Sequence, residues 1–179
     1  MQTQAFARVL LPHYELRFLN TVPAKGVYAL RHDTTIAAAT GRSTDYDLTA
    51  TMQYISRMLT GTQRGDYLMW GIMDRQTDEF YGLIQLWHFQ KQTAEVGYEV
   101  LSQWQRHGIM QEVLPQVAQL AFEQLDIKRL YAVTGEANLP SRRLLEKVGF
   151  QLDSNYHEKL YTFQQTELAL VRYQLDAKK

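Results

Sequence analysis

The sequence predicts a mixed α/β (α+β) fold: one domain with a mostly antiparallel central sheet of about seven strands and flanking helices. Three apolar runs joined by short polar links between positions 67 and 101 are typical of an antiparallel meander. A long amphipathic segment then separates the third run from a further strand, which is the spacing that a parallel crossover requires. The length of 179 residues suits one domain with a sizeable core, and we expect it to span residues 1–179.

The first third of the chain contributes one strand and two helices. Tyr14 to Leu19 alternates as a half-buried strand does. Thr21 is placed to cap a helix that begins near Pro23, because proline is tolerated in a first helical turn. After the polar stretch 40–47, apolar residues recur on one face over Ala50 to Leu59 and predict a second helix.

The middle of the chain supplies the meander. Its strands are predicted over Tyr67–Met73, Phe80–Phe89 and Thr93–Leu101. Because successive side chains of a strand point to opposite faces, Glu95 and Glu99 share one face of the third strand, opposite Tyr98.

The last part of the chain alternates helices and strands. A helix with a continuous apolar stripe runs from about Gly108 to Gln124. A short helix over Asn138–Val148 stops at Gly149, a residue that suits a helix C-terminus. The remaining strands are predicted over residues 129–134, 150–156 and 167–175.

The composition excludes several classes of protein. Lys and Arg number 19, as do Asp and Glu, so bulk charge does not hold this chain to nucleic acid. No apolar stretch approaches the roughly 20 residues that span a bilayer, and the N-terminus does not read as a signal peptide. The chain has no cysteine, and its five histidines lack metal-ligand spacing. We therefore expect a cytoplasmic monomer or homodimer with no metal, membrane or nucleic-acid partner.

The segment Gln105-Arg-His-Gly-Ile-Met110 lies where a strand gives way to the long helix. Such a junction presents unpaired backbone amides and the positive end of the helix dipole. Gly108 lets a ligand approach the backbone, and Arg106 and His107 add positive charge. An anion, and a pyrophosphate especially, suits this place. The structural alternative is a basic loop that merely precedes an amphipathic helix.

A second informative segment begins at Asn138. Asn138 is a good N-cap, and Pro140 fits a first helical turn. Helical spacing places Ser141 on the same side as Leu145 and Val148, so its hydroxyl faces the interior. The structural alternative is a well-capped helix with a small polar residue near its start.

Together the two segments resemble the GNAT acetyltransferase superfamily, and most of all its branch of ribosomal-protein N-terminal (serine/alanine) acetyltransferases. Gln105 and Gly108 match the family's coenzyme A loop, Gln/Arg-x-x-Gly-x-Gly/Ala, and Glu112 matches a glutamate that opens the following helix. The branch's Asn-x-x-Ser and Glu-Lys-x-Gly-Phe patterns are matched by Asn138, Ser141, Glu146, Lys147, Gly149 and Phe150. Further agreement at Tyr81-Gly82 and Glu95-Val-Gly97-Tyr98 extends the resemblance over most of the chain.

The resemblance implies a GNAT-like sheet whose fourth and fifth strands splay apart to admit acetyl-coenzyme A (acetyl-CoA), the co-substrate. The backbone of Val100 would bond the pantetheine arm, and the amides of residues 107–111 would hold the pyrophosphate. The residues implied in cofactor binding are Val100, Gln105, Arg106, His107, Gly108, Ile109, Met110, Gln111, Asn138 and Ser141.

The resemblance also implies catalytic roles for a few polar residues. Ser141 would donate a hydrogen bond or a proton to the leaving thiolate, and Asn138 would position Ser141 or contact the cofactor. Glu95 is the preferred general base, with Glu99 as the alternative. The two carboxylates lie about 13 Å apart on a regular strand, so only one of them can reach the reacting centre.

Two residues depart from the family pattern, and the acceptor stays open. Met110 replaces the usual Gly or Ala, and Pro115 lies inside the long helix, where it removes one backbone hydrogen bond. The predicted acceptor is a primary amine, such as a protein N-terminal α-amine, about a tenth of which is neutral at pH 7. The alternatives are a small amine (a polyamine, an amino sugar or an amino-acid derivative) and a non-catalytic module that binds coenzyme A.

Overall fold

The computed structural model describes residues 6–161 and 167–178, which form nine strands and five α-helices. The strands are β1 (Arg8–Leu10), β2 (Tyr14–Phe18), β3 (Leu68–Asp74), β4 (Phe80–Gln90), β5 (Thr93–Val100), β6 (Arg129–Gly135), β7 (Gln151–Leu152), β8 (Glu158–Tyr161) and β9 (Glu167–Asp176). The helices are α1 (Ala24–His32), α2 (Thr34–Thr40), α3 (Leu48–Arg64), α4 (Ile109–Gln124) and α5 (Leu139–Lys147).

The nine strands form one sheet in the order β1-β2-β3-β4-β5-β6-β9-β7, and β8 pairs with another part of β9. Every pairing is antiparallel except that of β5 with β6. This arrangement confirms the predicted fold class. The strand count exceeds the expected seven because β1 and β8 are too short to leave a periodic pattern. The late strand predicted over 150–156 is wrong in extent, since β7 covers two residues.

The parallel pair is short. β5 and β6 are in register at Thr93 with Arg129, at Ala94 with Leu130 and at Glu95 with Tyr131. Beyond these positions the strands diverge, while β5 stays paired with β4 as far as Val100. A gap therefore opens along the second half of β5, as the resemblance implied.

Helices cover both faces of the sheet. On one face, α4 and α5 bury residues such as Leu114 and Leu145 against the strands. On the other face, α1 and α3 bury residues such as Val27 and Ile55. Full burial of one such side chain contributes about 1.5–3 kcal/mol, so both helical layers stabilise the sheet that carries the gap.

Local capping explains where the N-terminal helices differ from prediction. The predicted Thr21 cap is wrong, because Thr21 Oγ1 donates to the Phe18 carbonyl at 3.0 Å and the N-cap of α1 is Pro23. Helix α2 was not predicted; the Asp33 carboxylate starts it by accepting hydrogen bonds from two amides of its first turn. Helix α3 extends beyond the predicted range at both ends. Asp47 caps its start, and Gly65, in a left-handed conformation, ends it.

Candidate active site

A cavity of about 370 Å³ opens where β5 and β6 separate. Its walls come from β4, from the diverging parts of β5 and β6, from the start of α5, from the end of α2, and from β8 and β9. The three predicted catalytic residues, Ser141, Asn138 and Glu95, all line this cavity. The fold thus brings together residues that are up to 46 positions apart in the chain (141 minus 95).

The predicted cofactor loop follows β5 and leads into α4. Arg106 and Gly108 both have left-handed backbone conformations, with φ of 67° and 80°. Among the residues that the structure describes, no protein group accepts a hydrogen bond from the amides of residues 106–110. Left-handed residues interspersed in a loop turn successive amides toward one concave surface, and such a surface binds anions. The loop therefore offers its backbone donors to a ligand.

The unpaired amides begin one residue earlier than the sequence suggested. The Gln111 amide is engaged, because it donates to the Gly108 carbonyl at 2.9 Å, whereas the Arg106 amide belongs to the unpaired set. The space beside the loop is open, since a Cβ atom added to Gly108 would meet no atom within 4 Å.

Side chains of the loop fix its position against the sheet. Gln105 Nε2 donates to the Val100 carbonyl at 3.1 Å, so the loop is tied to the end of β5. His107 Nδ1 lies 2.9 Å from the Gln105 carbonyl, and its ring meets Trp104 edge-on with centroids 5.6 Å apart. Arg106 and His107 are exposed, and the Arg106 guanidinium places a positive charge at the rim.

Neither departure from the family pattern obstructs the loop. Met110 is buried in the core with Ile109, so its larger side chain points away from the unpaired amides. Pro115 lies inside α4, which begins at Ile109. Its missing amide leaves the Gln111 carbonyl without a helical partner and changes nothing at Gly108.

Ser141 faces a tyrosine across the cavity. The hydroxyls of Ser141 and Tyr98 lie 3.0 Å apart and share a hydrogen bond. Asn138 Oδ1 accepts from the Ser141 amide at 3.3 Å, so Asn138 caps α5 and fixes the backbone that carries Ser141. Burial raises the pKa of Tyr98 to about 12, which keeps its phenol protonated and able to donate.

Glu95 lies on the opposite face of β5 and is mostly buried. Its side chain is 20% exposed, and its Oε2 lies 3.0 Å from Nδ1 of the exposed His88. Burial raises the pKa of Glu95, and the hydrogen bond to His88 partly opposes that effect. A carboxylate with a raised pKa is a better proton acceptor near neutral pH than an ordinary one.

Glu99, the alternative base, is fully paired. Arg42 binds both of its carboxylate oxygens at 2.8 Å. Arg42 also donates to the carbonyls of Leu30, Arg31 and Ser43, so it is held from several sides. The structure therefore assigns Glu99 to a wall of the cavity and leaves Glu95 as the better candidate base.

Comparison with known proteins identifies the family. A family model described as an acetyltransferase (GNAT) domain matches residues 15–151. The chain belongs to this GNAT family. It is 34% identical over 96 residues to the uncharacterized N-acetyltransferase YoaA of Bacillus subtilis, a match that covers 52% of this chain and 54% of that protein. The chain spans about half the length of the curated relatives that it matches.

Solved GNAT structures share the whole fold. The ribosomal-protein-S5-alanine acetyltransferase of Vibrio fischeri superposes with a TM-score of 0.78 at 16% identity, covering 94% of this chain and 96% of that one. The spermidine N-acetyltransferase of Vibrio cholerae, solved with coenzyme A and spermine, gives 0.79 at 15% identity, covering 92% and 95%. At these identities the likeness shows the fold, and it does not distinguish a protein acceptor from a polyamine.

Three residues of this GNAT site escaped the sequence analysis. The sequence places Tyr98 on a strand face and in the family pattern, His88 on a strand and Arg42 in a polar stretch, and it assigns none of them a role at the site. The cross-strand and cross-element contacts that give them roles leave no periodic pattern in the sequence. No helix in the described part of the chain is long and apolar enough to cross a membrane, and no three His, Asp or Glu there are grouped as metal ligands.

Proposed function

We propose that this protein is an acetyl-CoA-dependent N-acetyltransferase that acts on a primary amine, with the α-amine of a peptide N-terminus as the preferred acceptor. The observation that carries the proposal is the row of unpaired amides at residues 106–110 beside the gap between β5 and β6. The amides supply donors for the pyrophosphate at a helix N-terminus. The gap supplies a channel for the pantetheine arm.

The edge of β5 that faces the gap supports the same assignment. After Glu95 this edge has lost its pairing with β6, so its backbone amides are available to the arm and to the thioester oxygen, although the Val100 carbonyl is already bonded to Gln105. An amide donor preorganised there would stabilise the oxyanion that forms during acyl transfer.

In the proposed reaction, Glu95 accepts a proton on one side of the cavity and Ser141 donates a proton on the other. The amine first loses a proton to Glu95, and its nitrogen then bonds to the thioester carbon. Collapse of the intermediate breaks the carbon–sulfur bond, and the thiolate takes a proton from the Ser141 hydroxyl, which Tyr98 supports by its hydrogen bond. The second amine proton, released as the amide forms, returns to the Ser141 oxygen and restores its hydroxyl.

The charges around the cavity favour a single amine over a polyamine. Among the described lining residues, Glu95 and Glu99 are the carboxylates, and Glu99 is neutralised by Arg42. Leu160, Leu168 and Leu170 add an apolar wall. A polyamine carries several positive charges and needs several anionic partners, whereas an N-terminal residue brings one amine and a short side chain. The ordinary α-amine pKa near 8 also lowers the demand on the base.

An acceptor panel tests the proposal. Purified protein and acetyl-CoA are incubated with peptides that have free or formylated N-termini, with spermidine, and with an amino sugar, and released thiol is measured. We expect the free N-terminal peptides to be acetylated fastest, with mass spectrometry placing the acetyl group on the α-amine. Faster turnover of spermidine or of the sugar would contradict the preferred acceptor. Calorimetric binding of acetyl-CoA with no transfer to any amine would favour a non-catalytic module.

A further inference from the structure

A β-bulge in β4 brings a histidine to the candidate base. β4 and β5 pair regularly up to Trp87 with Glu95, and the register then shifts before Gln90 pairs with Thr93. In a regular strand His88 would point away from the face that Trp87 shares with Glu95. His88 instead has a left-handed φ of 52°, and its Nδ1 lies 3.0 Å from Glu95 Oε2.

The His88–Glu95 pair connects the interior of the cavity with solvent. The Glu95 side chain is 20% exposed and lines the cavity, whereas that of His88 is 69% exposed. A non-glycine residue with positive φ is uncommon, and such conformations concentrate at functional sites. The imidazole is the side chain that ordinarily exchanges protons between pH 5 and 8.

Other charged groups near Glu95 do not replace His88. Arg172 on β9 lowers the pKa of Glu95, and Glu158 on β8 raises it. The Arg172 guanidinium is itself paired with Asp153 at 2.7 Å. The Tyr156 phenol donates a hydrogen bond to Glu158, and the charge of Glu95 is one of the causes that raise the pKa of Tyr156. Among these groups, His88 is the one hydrogen-bonded to the Glu95 carboxylate.

We propose that His88 is a positioning residue that relays the acceptor's proton from Glu95 to solvent. This proposal rests on the proposed function. The Glu95 carboxylate accepts a proton from the ammonium group of the acceptor and becomes neutral. It passes that proton to His88 Nδ1, and the resulting imidazolium releases the proton on Nε2 to water. Water then carries the proton that remains on Nδ1 to Nε2, which restores the Glu95 carboxylate and the neutral tautomer whose Nδ1 can accept the next proton.

The test compares His88→Asn and His88→Ala with Glu95→Gln. Asparagine tolerates positive φ and keeps an amide donor for Glu95, but it cannot carry a proton. In weak buffer, with the best acceptor from the panel, we expect kcat of His88→Asn to fall about tenfold. Added imidazole should restore the rate of both His88 variants and should not restore Glu95→Gln. The Kd for acetyl-CoA should be unchanged in all three.

The pH profile provides a readout that a merely structural role would not move. Loss of the histidine hydrogen bond removes the main contact that lowers the pKa of Glu95, so the acid limb of kcat/KM should shift to higher pH, most of all in His88→Ala, which keeps no donor for Glu95. An active unmodified enzyme whose His88→Asn variant matches it in rate, buffer dependence and pH profile would overturn the relay. An unmodified enzyme that acetylates no amine in the panel would overturn the proposed function, and the relay with it.

Discussion

At the scale of single residues, the pleat of β5 places two polar pairs on opposite faces of the sheet. Tyr98 and Ser141 meet on the side of α5, whereas Glu95 and His88 meet on the other face of the sheet. A protonated phenol and hydroxyl suit a leaving thiolate, and a carboxylate with a raised pKa suits an incoming ammonium. The alternation of one strand thus keeps the proposed proton donor and the proposed proton acceptor apart.

The leaving-group assignment can be tested at Ser141. Ser141→Ala should lower kcat roughly tenfold to a hundredfold, because the thiolate loses its hydrogen-bond donor, while the Kd for acetyl-CoA stays largely intact. Steady-state kinetics and calorimetry measure the two effects. Tyr98→Phe serves as the companion variant: it keeps Ser141 and removes only its partner, so its loss should be smaller. Unchanged turnover in Ser141→Ala would remove Ser141 from the mechanism.

The cofactor loop can be tested at Gly108 with a matched control. Gly108 and Gly65 have φ of 80° and 84°, and neither has an atom within 4 Å of an added Cβ. Leucine at either position should cost about 1–2 kcal/mol of stability through left-handed strain. Only Gly108→Leu should also weaken acetyl-CoA binding, at least tenfold by calorimetry, because its side chain would fill the space beside the amides. Equal affinity in the two variants would contradict the loop assignment.

At the scale of elements, Arg42 joins the helical layer to the central sheet. Arg42 follows α2 and donates hydrogen bonds to the carbonyls of Leu30 and Arg31 at the end of α1. It also donates to both carboxylate oxygens of Glu99 on β5. Its neighbour pair Arg31–Asp45 is also bidentate, at 2.8 and 2.9 Å. These ion pairs fix the wall of the cavity that the acceptor would contact.

Removal of Arg42 should therefore destabilise the fold. Arg42→Gln leaves Glu99 and two helix-terminal carbonyls without their charged partner, and we expect a loss of about 2–3 kcal/mol in the free energy of unfolding. The double variant Arg42→Gln with Glu99→Gln should recover part of that loss, since no unpaired charge remains. Urea unfolding of the three proteins measures both values; a single variant as stable as the unmodified protein would contradict the assigned role.

At the scale of the whole molecule, the sequence predicted the fold class and named residues that the fold brings to the candidate site, but it did not predict the contacts between distant segments. In long segments such as α4 and the meander, apolar residues recur often enough to predict the helix and the strands from the sequence. Ser141 and Asn138 were found because a cap and a helical face place them. Short strands, the bulge at His88 and the salt bridge between Arg42 and Glu99 depend on contacts between distant segments. Tertiary packing decides such features, so they were missed.

Acid stability of the whole chain should depend on Glu15. This residue is 2% exposed, and hydrogen bonds from Arg17 and then Arg8 lower its pKa from 4.5 to about 2. A depressed folded pKa contributes stability that is complete above about pH 4.5 and is lost as the pH falls toward 2. Glu15→Gln should be less stable at pH 7, with the difference in urea midpoint shrinking below pH 4.5. A difference that stays constant with pH would refute this role.

The far walls of the cavity come from two segments that are remote in the chain. The end of α2 meets β8 closely, since a Cβ added to Gly41 would lie 2.6 Å from Leu160, whereas the loop at Gly108 and the hydroxyl of Ser141 stand on other elements. Exchange of α2 or β8 should thus change which amine the cavity would admit, while the proposed cofactor loop and Ser141 stay unchanged. Because different elements form the far walls and the proposed cofactor site, a change of acceptor would require replacement of the wall elements alone.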